Sequence, residues 1–104
     1  MAKAFVITSK GEEIVLAKSD DTIRIEGNYY FPPESVNDEY LTDSQTHTTC
    51  HWKGEASYKT VSVGNERWAD GAWYYSNPTP SSLDIVKKDY TNYIAFWRGV
   101  QVSE

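Results

Sequence analysis

The sequence has one cysteine in 104 residues, so no intramolecular disulfide can form and nothing points to an oxidising compartment. Histidine is nearly as scarce, with two residues. His47 and His51 flank that cysteine, Cys50, and the three are the only imidazole and thiol donors available. A structural zinc site takes four ligands, usually as two separated pairs, and no second pair exists. In extended chain Cys50 and His51 also point to opposite faces. No metal and no other cofactor is expected. Cationic residues are outnumbered, ten Lys and Arg against fifteen Asp and Glu, for a net charge of −5. They are scattered, with Lys87-Lys88 the one adjacent pair, whereas a surface that tracks phosphates needs clusters. Nucleic-acid backbone binding therefore has little support, and no nucleic-acid polymer is expected as partner.

Long apolar runs are missing too. The run "AFVI" stops at Thr8, too short for a signal-peptide core or a membrane span. The expectation is a soluble cytoplasmic protein with no membrane partner. Phosphate-cradling loops of the G-x-x-x-x-G-K-[ST] or G-x-G-x-x-G type are absent. So are the strand-borne paired carboxylates that hold two metals in polymerase-type nucleotidyl transfer. Asp20-Asp21 and Asp38-Glu39 fall in turn-like stretches, where solvated carboxylates are the ordinary reading.

What is present is β-pattern. The length fits one domain, residues 1–104, able to bury roughly two thirds of its unfolded surface. "AFVITS" (4–9) and "EIVLAK" (13–18) flank "KGE" as a hairpin. "SDD" (19–21) is a turn, and "TIRIEGNYYF" (22–31) alternates as one strand that Pro32-Pro33 must end. Helical turns are short: one within "ESVNDEYL", with Ser35 three before Asp38, and one in "SSLDIVKKDY", with Ser81 three before Asp84. "HWKGEASYKTVSV" (51–63) reads as a long strand whose apolar parity changes after Tyr58, which a bulge or change of sheet near Lys59-Thr60 would reconcile. "GNE" (64–66) turns into a return strand, 67–76, interrupted at Asp70-Gly71. "YIAFWRGVQV" (93–102) is the last strand, kinked at Gly99. The fold class is mainly β, with one or two short helical turns.

The strongest composite signal is aromatic, with eight tyrosines and four tryptophans. Tyr29, Tyr30, Trp52, Tyr58, Trp68, Trp73, Tyr74, Tyr75 and Trp97 lie on four predicted strands, with Lys53 and Glu26 among them. Large rings with a few convergent polar groups are the usual lining of a small-ligand pocket. Ordinary core packing accounts for more than half of them. Gly54 weakens a strand but permits close approach of a backbone or ligand. A partly desolvated Lys53 ammonium would seek Glu26 or an anionic ligand. Cys50 is a candidate nucleophile, since His47 or His51 could lower its pKa and Lys53 could steady the thiolate. Against this, lone cysteines are commonly buried, and no orienting Asn or Asp is identifiable.

The blocks "EGNYYFPPESV", "CHWKGEASY", "AWYYSNPTP" and "YIAFW" resemble, in order and spacing, the DUF427 family of small, mostly bacterial single domains, also labelled nucleotidyltransferase-like. The resemblance spans nearly the whole chain. It implies a compact antiparallel β-structure similar to the β-tent (Mss4-like) group, whose members often carry a structural zinc and an aromatic pocket. The cysteine pairs for the zinc are lacking, so only the pocket carries over. The family blocks place its residues at Glu26, Tyr30, Pro32, Cys50, Lys53, Gly54, Tyr58, Trp73, Tyr75, Pro78 and Pro80. The resulting expectation is a binding module for a small, anionic or nucleotide-like ligand. Lys53 and Glu26 orient that ligand, and Tyr30, Cys50, Tyr58, Trp73 and Tyr75 surround it. The alternative is an enzyme at the same place, nucleotidyltransferase-like or with Cys50 as nucleophile or Lys53 in acid-base or phosphate-contacting work.

Overall fold

A computed structural model of the chain describes residues 1–104. Its centre is a four-stranded antiparallel sheet in the order β5-β6-β7-β8, built from Leu41–Cys50, Gly54–Val63, Glu66–Tyr75 and Ile94–Phe96. A three-stranded sheet, β2-β1-β9, covers one face with Glu13–Ser19, Ala2–Ile7 and Gln101–Ser103. The other face is covered by the hairpin β3-β4 (Ile23–Ile25, Asn28–Tyr30) and by helix α1 (Pro80–Val86).

Strand period explains the layering. Along β7, Ala72 and Tyr74 join one core while Trp73 and Tyr75 join the other. Along β8, Ile94 and Phe96 face the first core and Ala95 the second. Side chains two apart share a face, so a sheet with alternating apolar sets must be covered twice. The first core is mostly aliphatic, with Val6, Leu16 and Val61 packed around the Phe31–Phe96 ring pair. The second is built of rings.

The same alternation explains the parity change in β6. Ala56 and Tyr58 face the ring core and Val61 the aliphatic one, so the sequence needs no bulge on its own strand. The pairing with β7 does shift between Lys59 and Val61, but the additional residues lie on β7, where Asp70 takes a left-handed φ of 52°.

Five expectations change. Residues 22–31 are not one strand: Glu26 (φ 54°) and Gly27 (φ 85°) are both left-handed and close a two-residue hairpin between β3 and β4. The stretch 51–63 begins with a turn, His51–Lys53, which joins β6 to the long edge strand β5. In place of the one helical turn expected within "ESVNDEYL" there are two 3-10 turns, Pro33–Ser35 and Asp38–Tyr40, with no side-chain cap. Helix α1 is capped by Thr79, whose hydroxyl accepts from the Ser82 N–H, not by Ser81. The final run is cut in two by Arg98 and Gly99, both left-handed, sending β8 and β9 to different sheets.

At Gly99 the φ is +94°, and an added Cβ would lie 2.9 Å from Trp68 Cδ1. Gly99→Ala is therefore expected to cost about 1–3 kcal/mol in urea unfolding, through backbone strain and overpacking together.

Candidate functional site

The ring core brings together most of the aromatic residues singled out in the sequence. Tyr30, at the end of β4, is fully buried and sits at its centre. Its ring centroid is 6.0 Å from Trp73, 6.5 Å from Tyr75 and 6.1 Å from Tyr90. The Trp73 indole N–H donates to the Tyr30 hydroxyl at 3.1 Å. Trp97 lies 5.1 Å from Trp73 and stacks against Tyr58 at 6.2 Å, extending the rings toward the surface.

Lys53 is the one charged side chain drawn inward. Only 7% of its side chain is exposed, and its Nζ lies 2.5 Å from Glu26 Oε1, while the Glu26 side chain is 54% exposed. The ammonium also sits 5.2 Å from the Tyr75 ring centroid and 5.3 Å from that of Trp52. Two local features hold it there. Thr79 clamps the 51–53 turn to the start of α1, its N–H donating to the Lys53 carbonyl at 3.1 Å and its hydroxyl to the Trp52 carbonyl at 2.5 Å. Gly54, at φ +110°, lets that segment approach, since a Cβ there would meet the Asn77 carbonyl at 3.3 Å. The close approach anticipated at Gly54 is thus made by backbone. Glu26 comes from the opposite side, on the tip of the β3-β4 hairpin. Glu is an unfavourable residue for a left-handed turn position, where Asn or Asp is preferred. Its place there is explained by its side chain, which reaches the buried cation.

Charge and burial set the protonation states. Burial lowers the pKa of Lys53, but the hydrogen bond it donates to Glu26 and the neighbouring Tyr30 and Tyr75 outweigh it, and the balance lies above the ordinary lysine value. Burial likewise raises the phenols of Tyr30, Tyr75 and Tyr90, against the pull of Lys53. Near neutrality the site is therefore an ammonium among neutral phenols, and Lys53 is not available as a free base. All four groups bind protons more tightly folded than unfolded. Their stabilisation is whole below the ordinary Tyr and Lys pKa values of about 10 and is lost as pH climbs past them. Thermal melts are expected to hold a flat Tm from neutral pH to about 9 and fall steeply beyond about 10. The phenolate absorbance of the buried tyrosines should emerge with unfolding and not before it.

The other candidates are placed differently. Cys50 ends β5, half-buried at the edge of the ring core. His47 is exposed and spends its Nδ1 on Ser57 Oγ at 3.1 Å, and His51 is exposed in the turn. Neither makes a pair with the thiol. No group of three or more His, Cys, Asp and Glu side chains converges as metal ligands do. The rings around Lys53 pack on one another, and the three surface clefts are lined by other residues.

Sequence reasoning missed Tyr90, fully buried, whose hydroxyl donates to Ser82 Oγ at 2.7 Å; Ser82 in turn donates to the Thr79 carbonyl at 2.7 Å. It also missed Thr79 as the clamp. The "PTP" before α1 carried a signal for Thr79, since Pro at the first helical position puts the N-cap one residue earlier.

Covered sheet, ring core and inward-facing lysine define a small antiparallel β-protein with a charged aromatic site. The chain belongs to the family described as a domain of unknown function, DUF427, whose model matches residues 3–103. No curated protein matches it. No helix is long and apolar enough to cross a membrane.

Proposed function

We propose that this protein is a small-ligand-binding module in which the Lys53 ammonium takes an anionic group, with Glu26 as the resident anion that the ligand displaces or shares. One observation carries this reading: a nearly buried ammonium among aromatic rings whose carboxylate partner is exposed on a strained hairpin tip. A pair built for stability alone gains most when both charges are enclosed and fully hydrogen-bonded. Here one partner is buried and the other can leave into water. The flanking Trp52 and Tyr75 rings supply flat apolar contact for the body of an organic anion, as in small-molecule sites generally.

Thermal-shift measurements with inorganic phosphate, small carboxylates and nucleotides test this. Any species that binds only the folded state raises Tm by mass action. Stabilisation by at least one anion is expected in the wild type, lost in Lys53→Met and strengthened in Glu26→Gln, where the competing carboxylate is gone. Anion responses absent from both wild type and Glu26→Gln would overturn the reading. A response to carboxylates with none to any nucleotide, magnesium present, would remove the nucleotide version and leave a carboxylate site.

A further inference from the structure

The opposite face of the central sheet from the ring core carries one of the three surface clefts, and none of the residues around Lys53 lines it. It has a volume of about 200 Å³ and is lined by Pro33, Asp38, Lys59, Tyr74, Asn92 and Ile94. Five parts of the chain converge here: both 3-10 turns, β6, β7 and the segment leading into β8. Strand alternation puts Tyr74 on this side, with its neighbours Trp73 and Tyr75 in the ring core behind it.

We infer that this cleft binds a free α-amino acid with a small apolar side chain. Its lining offers both signs of charge and an apolar wall in one small space. Lys59 is held in place, its Nζ 3.0 Å from Asp43 Oδ1 and 5.5 Å from the Tyr74 ring centroid, with 22% of its side chain exposed. The ammonium has three donors and gives one to Asp43, which leaves donors for a ligand carboxylate. Asp38 makes no ion pair, and its carboxylate is free for a ligand ammonium. Asn92 sits at a left-handed φ of 62°, its backbone N–H given to the Tyr75 carbonyl at 2.9 Å. Its side-chain amide carries both a donor and acceptors, suited to bridge the two ends of a zwitterion. Pro33, Tyr74 and Ile94 form the apolar contact for the side chain. Size sets the limit: drug-sized ligands occupy roughly 300–1,000 Å³, and this cleft is smaller.

The test is a backbone-amide NMR titration of the full chain with glycine, valine, leucine and phenylalanine. The expected result is saturable shifts at Asp38, Tyr74 and Asn92 with valine or leucine. At least tenfold weaker binding is expected for isobutylamine and isovalerate, each of which keeps one charge only. Asp38→Asn should weaken amino-acid binding at least tenfold while leaving the melting curve unchanged, since Asp38 is exposed and unpaired. Lys53→Met should leave it unaltered, which separates this cleft from the site proposed above. No saturable shift with any of the four amino acids, or equal binding by Asp38→Asn, overturns the inference. Equal binding of isobutylamine would replace it with a simple amine site.

Discussion

Tyr30→Ala is expected to destabilise the protein by about 3–5 kcal/mol in urea unfolding, the range for deleting a large ring from a closed core. Tyr30 is fully buried and faces three other rings, so the cavity has little means of collapse. The mutation also removes the acceptor of the Trp73 indole N–H. Tyr30→Phe separates the two effects. It keeps the ring and loses only the hydroxyl, at about 1–3 kcal/mol for a buried donor left unpaired. Against a total stability of about 5–15 kcal/mol, the alanine variant should be at or near the limit of folding at 37 °C. If the two variants prove equally destabilised, the hydrogen bond and not the ring packing dominates, and the account of this core is wrong.

Reversing the charge at Lys53 should be comparably severe. Lys53→Glu puts a carboxylate where the surroundings are apolar rings and the nearest charge is another carboxylate, at an expected cost of about 3–5 kcal/mol. The rest of the series is graded by which charge is left and where. Glu26→Gln strands the buried ammonium and should cost about 1–2 kcal/mol, less than in an enclosed pair because the lost carboxylate was half in water. Lys53→Met leaves only Glu26, which water can solvate, and fills the same space with an apolar chain. It should cost under about 1 kcal/mol. The order Lys53→Glu, then Glu26→Gln, then Lys53→Met is the specific expectation. An inverted order for the last two would mean that Lys53 is solvated in solution and that the pair does not govern the site.

Much of the fold was legible in local pattern. The first hairpin, the turn at 19–21, the stop at Pro32-Pro33, the 64–66 turn and the break at Gly99 all rest on residues whose backbone limits act within a few positions. Ring content announced an aromatic core. The same reading failed where one pattern admits two structures. "TIRIEGNYYF" alternates equally well as a strand or as two strands around Glu26-Gly27, because a two-residue hairpin preserves the period. "HWK" reads as strand by composition, yet its backbone turns because Thr79, 26 positions beyond Lys53, binds two of its carbonyls.

The sequence by itself determined that this chain forms antiparallel sheets with large rings to bury, that Lys53 and Glu26 lie among those rings, and that its histidines and single cysteine have no zinc-type partner pairs. Only tertiary structure decided that Glu26 meets Lys53, that the ammonium is buried while the carboxylate is not, and that Tyr74 lines a surface cleft while its neighbours are closed in the ring core. Those outcomes depend on which strands pair and which face each layer covers. Such choices are made by contacts between residues tens of positions apart, where local pattern has no reach.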